Sequence, residues 1–172
     1  IHTSFQMTVT ATGRLSSTEP NLQNIPTRTK LGSEFRRMFV PASGCVLVDA
    51  DYSQIELRLL AHIAGDEAMR TAFLTGEDIH TVTASQVFGV PAEQVTKQMR
   101  SHAKAVNFGI VYGISAFSLA QDIGVPVYEA KEYIATYFER FPGIRRYMDE
   151  VVAQAKERGY VETLMHRRRA LP

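Results

Sequence analysis

In the stretch MRSHAKAVNFGIVYG (99–113), Arg100, Lys104, Phe108 and Tyr112 recur at every fourth residue. On a helix of about 100° per residue, each such step overshoots a full turn by only about 40°. The four side chains therefore form one slowly drifting stripe, roughly 18 Å long at about 1.5 Å per residue. Two cations come first, then two rings. A ligand with an anionic tail and a flat apolar head would meet guanidinium and ammonium groups at one end and aromatic faces at the other, and a nucleoside triphosphate has that shape. The same stretch also suits an ordinary amphipathic helix that buries Met99, Ala103, Val106, Ile110 and Val111, keeps Phe108 and Tyr112 in the core and leaves Arg100 and Lys104 in water. Gly109 points toward a close neighbour, because a glycine inside a helix costs about 0.5–1 kcal/mol relative to Ala.

A pair of carboxylates lies earlier. Residues 45–51, CVLVDAD, read as a buried strand with Leu47, Asp49 and Asp51 on one face and Val46, Val48 and Ala50 on the other. A carboxylate at a strand's end, close to the core, needs a partner, and a metal ion is a natural one. Alternation does not choose between Asp49 and Asp51, and a rim position in water suits both. His80 falls in the first turn of a predicted helix, where a surface residue is the plain reading and a ligand the sharper one. Residues 12–26, TGRLSSTEPNLQNIP, are polar and broken by Pro20 and Pro26, hence an irregular loop. Turn chemistry accounts for its Asn21 and Asn24 and solvent for Arg14, with Gln23 between. A loop of about 15 residues is nonetheless long enough to suggest function.

These residues need elements to hold them. Residues 3–12 are rich in Thr and Val and read as a strand, and 35–44 leads to a turn before the 45–51 strand. Ser53 and Glu56 have the spacing of a capping box, opening a helix that runs to about Ala64 and ends at Gly65. Glu56 thereby has a complete structural explanation. Asp66 is predicted to cap a short helix ending near Gly76, and Asp78 another ending at Gly89. The stripe helix follows Val90-Pro91 and stops at Gly113, and Ser115 caps a helix to Ile123. Residues 127–140 and 144–158 read as two longer amphipathic helices, separated by Phe141-Pro142-Gly143 and closed by Gly159. Residues 160–165 return to strand-like composition. The expected fold is α+β and mainly helical: one lobe from the middle of the chain, and part of a second, with a small sheet, from its ends.

The 172 residues suffice for one full core, possessing the 45% hydrophobic and 22% charged content of a soluble globular protein. No apolar run nears the 18 or so residues that a membrane span needs. The chain starts at Ile1 with neither a basic nor an apolar leader segment, so no signal peptide is expected, and it reads as cut from something longer at both ends. Net charge is only +1, but basic residues gather at Arg28, Lys30, Arg36 and Arg37, at 97–104, at Arg140, Arg145 and Arg146, and at 167–169. Each cluster alone reads as a solvated face; together they suggest a basic surface. The single Cys45 permits no internal disulfide and fits a reducing cytosol. Without CxxC, HExxH or a GK[ST] phosphate loop, zinc hydrolases and P-loop enzymes have no foothold.

DYSQIELR (51–58) and R-x-x-x-K-x-x-x-F-G-x-x-Y-G (100–113) resemble motifs A and B of the family A DNA polymerases, of the bacterial DNA polymerase I type. TGRLSSTEPNLQNIP (12–26) is similar to that family's template-primer contact segment, GEDIHTVTAS (76–85) to its fingers, and YVETLMHRRR (160–169) to the segment leading back into the palm. The match covers essentially the whole chain in the family's order. It implies fingers helices inserted in part of an antiparallel palm sheet: 1–65 as partial palm, 66–159 as fingers and 160–172 as the return toward the palm. It also implies a bacterial cytoplasmic enzyme working at the nucleoid, with no membrane attachment.

The resemblance further implies roles. Asp51 takes the place of the first metal-binding aspartate, with the Tyr52 carbonyl as a further ligand to two Mg²⁺ ions; Asp49 receives no family role. Arg100 and Lys104 hold the triphosphate and assist catalysis, with His80 close to it. Phe108 lies near the sugar and base of the incoming nucleotide. Tyr112 occupies the template-base position in the open state, and Glu56 is the steric gate against a ribose hydroxyl. Tyr52, Ser53 and Gln54 line the nucleotide site with them. Arg14 reaches the minor groove at the primer end, where one donor tests pairing without reading sequence, and Asn21, Gln23 and Asn24 contact template or primer nearby.

One departure stands out. The family's second catalytic aspartate belongs to a His-Asp-Glu motif, and no HDE occurs here. The expected protein is thus a polymerase piece whose partners are primer-template DNA, deoxynucleoside triphosphates and the remaining palm, thumb and exonuclease domains of a parent chain. A catalytically inert nucleotide- or DNA-binding module is the alternative, and a structural helical domain with relic motifs is the third reading.

Overall fold

A computed structural model of the chain describes residues 1–26 and 30–171, so Arg28 of the first basic cluster lies outside the described residues. Two compact units emerge, Ile1–Asp51 and Tyr52–Pro172. Their composition explains their difference: the apolar residues of the second recur at helical spacing, whereas those of the first are scattered between glycines, prolines and short polar runs.

The first unit contains β1 (Ser4–Gln6) paired antiparallel with β2 (Ser16–Thr18), the short α1 (Lys30–Glu34) and a 3₁₀ turn, Phe35–Met38. Its one tight spot is Ser17, 1% exposed, whose hydroxyl meets that of Thr3 at 2.7 Å and accepts from the Leu22 N–H at 2.9 Å.

The second unit is a stack of helices: α2 (Ile55–Ala64), α3 (Glu67–Leu74), α4 (Ile79–Phe88), α5 (Lys97–Val111), α6 (Ala116–Ile123), α7 (Val127–Arg140) and α8 (Pro142–Arg158). Their starts are chemically marked. Asp66 accepts from the Met69 N–H at 3.0 Å, Asp78 from the His80 N–H at 3.2 Å, Thr96 from the Met99 N–H at 3.2 Å and Ser115 from the Ser118 N–H at 3.1 Å. Each satisfies an orphan donor of the first turn, typically a contribution of about 1 kcal/mol. Glycines at 65, 89, 124 and 159 take positive φ and end α2, α4, α6 and α8, as only a residue without Cβ does at low cost. The apolar faces meet in one core containing Leu57, Met69, Ile79, Val106, Ile110, Leu119, Tyr137, Phe141 and Ile144. Within it α4 and α5 pair most extensively, α2 packs on α3, α5 and α8, and α6 and α7 pair together. Asp66 is 2% exposed and ties α3 to α8, its second oxygen accepting from the Gly143 N–H at 2.9 Å. A Cβ at Gly143 would stand 2.9 Å from the Asp66 Cα, so glycine is what permits the approach. After α8, β3 (Tyr160–Glu162) pairs antiparallel with β4 (Arg168–Ala170).

The mainly helical α+β fold expected from the sequence is found, with the sheet represented by two separate two-stranded ribbons. Several local expectations are corrected. Residues 45–51 form no strand and are exposed throughout: among the described residues no strand lies beside them, and a strand exists only as part of a ladder. The strand expected over 3–12 shrinks to Ser4–Gln6, and its partner β2 lies inside the segment read as an irregular loop. Ser53 does not cap α2. The N-cap is Gln54, left-handed at φ 54° and without a side-chain cap bond, so the expected capping box is absent and Glu56 is held otherwise. Helix α8 begins at Pro142, inside the expected break, since proline at the first helical position loses no intrahelical bond. The neighbour that Gly109 admits is internal: Ile114 Cγ2 lies 2.6 Å from where a Cβ would stand, and the Ile114 N–H donates to the Gly109 carbonyl at 2.9 Å.

Candidate functional site

Helices α4 and α5 place a cationic, aromatic and polar cluster on adjoining faces. Arg100 donates from Nε and Nη2 to the two oxygens of Asp78 at 2.5 and 3.2 Å. Asp78 also accepts from the Thr81 hydroxyl at 2.7 Å. Burial pushes the Asp78 carboxyl upward, but the bonds from Arg100, Thr81 and the His80 N–H, with the Arg100 charge, outweigh it and bring it to about 2. The Arg100 guanidinium is correspondingly held more firmly protonated by its bond to Asp78, against the smaller effect of burial.

His80, expected at the surface on the plain reading, is 3% exposed. Its Nδ1 meets the Asn107 side-chain amide at 3.1 Å, and the Asn107 oxygen accepts from the Thr83 hydroxyl at 3.1 Å. The imidazole stands 5.9 Å from the Phe108 ring, centroid to centroid, and Lys104 Nζ lies 5.9 Å from that same ring. Burial lowers the His80 pKa; Asp78 opposes this, and Arg100 and Lys104 reinforce it. The ring is therefore neutral at neutral pH. Arg100, Lys104 and Phe108 lie along α5 at the spacing read from the sequence, and His80 of α4 joins them, so that cationic side chains stand beside a half-buried ring. Ala103, Val106 and Ile110 of α5 are buried, as the amphipathic reading expects, but Tyr112 is exposed and Phe108 only half-buried rather than in the core.

At the far end of the stripe, the exposed Tyr112 donates its hydroxyl to Glu56 Oε2 at 2.9 Å. This links the C-cap of α5 to the first turn of α2 and gives Glu56 a partner other than the expected cap. Tyr52 and Ser53 are exposed and Gln54 half-buried just before α2. The Ser53 carbonyl accepts from Arg58 Nε at 2.9 Å, and the Arg58 guanidinium lies 4.5 Å above the Phe73 ring.

In the first unit Asp49 and Asp51 are both exposed, as are Arg14, Asn21, Gln23 and Asn24. Asn21 folds back on its own turn, its oxygen accepting from the Gln23 and Asn24 N–H groups at 3.0 and 3.2 Å. The Asp51 carboxylate and the Tyr52 carbonyl are hard oxygen donors of the kind Mg²⁺ takes. Among the described residues, however, no three His, Cys, Asp or Glu side chains gather to hold a metal ion. The donor types suit Mg²⁺, but the described residues do not complete such a site. Several basic clusters prove locally paired: Arg37 with Glu34, Arg145 with Asp149 and Arg168 with Glu162, exposed pairs worth little to stability.

Sequence reasoning missed Asn107 and Thr83 and saw Asp78 only as a cap. The signal for Asn107 was present: a polar residue beside Val106 and Ile110, on the face of α5 that must be buried, needs a buried partner.

The sequence profile described as DNA polymerase family A matches residues 1–172. Among relatives, DNA polymerase I of Streptococcus pneumoniae serotype 4 is 58% identical over 174 residues, covering 100% of this chain and 20% of the relative. That of Lactococcus lactis subsp. lactis is 56% identical with the same coverage. The thermostable DNA polymerase I of Thermus thermophilus is 54% identical, covering 100% of this chain and 21% of the relative. The POL domain of Pol1 from M. smegmatis, solved in complex with DNA primer-template and dNTP, superimposes with a TM-score of 0.89 at 48% identity, covering 100% of this chain and 30% of that one. The chain thus spans about a fifth of the length of these curated relatives. No described helix is long and apolar enough to cross a membrane.

Proposed function

The chain belongs to DNA polymerase family A, and from that premise we propose that it serves template-directed DNA synthesis, the transfer of a deoxynucleotide to a primer 3′-hydroxyl. In this reading 1–65 contribute part of the palm, 66–159 the fingers and 160–172 the return toward the palm. The observation that carries it is the gathering of Arg100, Lys104, His80 and Phe108 on α4 and α5. Arg100 and Lys104 hold the triphosphate where negative charge develops during transfer. Asp78 occupies two of the Arg100 N–H donors, and the guanidinium retains others for phosphate oxygens. His80 adds a neutral contact, and Phe108 lies against the sugar and base.

Tyr112 stands at the template-base position and Glu56 excludes the ribose 2′-hydroxyl; their mutual bond joins the two tasks. Arg14, Asn21, Gln23 and Asn24 contact primer-template DNA, while Tyr52, Ser53 and Gln54 line the nucleotide site. In the complete enzyme two Mg²⁺ ions would supply the Lewis acidity, and Asp51 and the Tyr52 carbonyl would be among their ligands. The other ligands come from the remaining palm, and the thumb and exonuclease domains complete the protein. The reading locates it in the bacterial cytoplasm, on nucleoid DNA.

The test is single-nucleotide incorporation by a complete polymerase carrying this chain. Asp51→Asn should abolish extension while leaving dNTP binding, and Arg100→Ala should weaken dNTP binding by about 10–100-fold, the worth of a charged hydrogen bond. Extension untouched by Asp51→Asn sinks the reading. The incomplete donor set at Asp51 favours a second one, a nucleotide- or DNA-binding module without catalysis. Loss of dNTP binding with no extension in any context would select it.

A further inference from the structure

Asn107 is 0% exposed and sits on the core side of α5 with Val106 and Ile110. An amide there is tolerated only if its polar atoms are bonded, and both of its partners come from α4. The Thr83 hydroxyl, itself on a residue 1% exposed, donates to the Asn107 oxygen at 3.1 Å. With its oxygen on Thr83, the amide presents its NH₂ to His80 Nδ1, 3.1 Å away. An amide nitrogen only donates, so Nδ1 accepts and the single ring proton resides on Nε2. Nε2 makes no hydrogen bond among the described residues, yet it is not sealed off. The buried side-chain polar atom left without a partner among those residues is the Tyr137 hydroxyl.

We propose that Asn107 is the positioning residue that holds His80 in its Nε2–H tautomer, so that a neutral N–H donor faces the phosphate oxygens of the bound nucleotide. The inference rests on reading α4 and α5 as a triphosphate site. A second proton would have to enter at Nδ1, where N–H would oppose N–H across the Asn107 contact. The charges acting on the ring are Asp78 at the start of α4 and Arg100 and Lys104 on α5; burial and the two cations also disfavour the imidazolium, and Asp78 favours it. The consequence is a neutral N–H donor to phosphate beside the two cationic side chains of Arg100 and Lys104.

The test uses the 172-residue chain with ¹⁵N-labelled histidine and long-range ¹H–¹⁵N spectra, with dATP as the probe. His80 is expected as the neutral Nε2–H tautomer at neutral pH and above, and the ratio of wild-type to His80→Ala affinity for dATP, in which the titration of the triphosphate itself cancels, is expected to be flat there. Asn107→Asp turns the donor into an acceptor; it should favour Nδ1–H and the imidazolium and make dATP affinity vary by about tenfold across a pH unit or two. Should that variant not fold, Thr83→Val removes the hydroxyl that orients the amide and should leave His80 a mixture of tautomers. A wild-type His80 found as Nδ1–H, or charged at neutral pH, overturns the proposal. An Nε2–H imidazole combined with dATP affinity unmoved by His80→Ala overturns the nucleotide half of the proposal while the tautomer assignment stands; the triphosphate reading falls separately, if Arg100→Ala also leaves dATP affinity unmoved.

Discussion

The two units of the chain hold their candidate residues by different means. Arg100, Lys104, His80 and Phe108 ride on helices whose other faces are locked in a core, with Val106 and Ile79 both 0% exposed. Asp78, Asn107 and Thr83 brace them from behind. Asp51 ends an extended, exposed segment in which Val46, Leu47 and Val48 are 80%, 65% and 86% exposed. Apolar residues so uncovered lack the burial, about 25 cal/mol per Å², that would fix their backbone. The proposed binding surface, built from contacts close in sequence, is therefore braced within one unit, whereas the carboxylate at the end of 45–51 has no such bracing among the described residues.

The largest consequence is a division of labour. The purified chain should bind deoxynucleoside triphosphates weakly and extend no primer at all; template-directed extension by the chain alone, abolished by Asp51→Asn, would erase the contrast. The next is kinetic. Amides of Val106 and Ile110 should exchange on the order of 10³-fold or more slowly relative to their intrinsic rates, and those of 45–51 near theirs. Equal protection in both segments would mean that 45–51 has found a ladder partner.

Smaller effects sharpen the helical side. If Phe108 lies against the sugar as proposed, Phe108→Tyr in a complete polymerase should narrow the deoxy-to-dideoxy incorporation ratio by about tenfold, roughly one hydrogen bond. An unmoved ratio displaces the ring from the sugar. Glu56→Ala should relax discrimination against ribonucleotides. Because Glu56 is bonded to Tyr112 and belongs to no capping box, thermal or urea unfolding should register only about 0.5–1.5 kcal/mol.

The smallest effect is at Asp78. Its folded pKa, about 2, lies below the ordinary value of 3.8. Its contribution is thus fully present above about pH 4 and is lost as pH falls toward 2. The urea midpoint of Asp78→Asn should lie below wild type at about pH 5 and converge on it by about pH 2. A gap that persists at the acid end would show that the carboxylate's charge is not what Asp78 contributes.

Much of this protein is set by short-range chemistry that a sequence displays. Asp66, Asp78 and Ser115 cap helices because a side-chain oxygen two or three residues before an unbonded N–H can reach it without help from distant residues. The stripe on α5 follows from helical geometry alone, and α7 spans the predicted 127–140. The family was likewise written in the order of its motifs. What only the tertiary structure decided depends on groups far apart in sequence. Residues 45–51 have strand composition, yet no described segment supplies the opposing backbone. Glu56 has the spacing of a capping box, but the left-handed Gln54 moves the cap and Tyr112, 56 residues on, takes the carboxylate. His80 is buried rather than solvated because Asn107, 27 residues away, offers an amide inside the core. Local periodicity names the face on which a residue lies; whether a partner waits opposite is settled only when the elements pack.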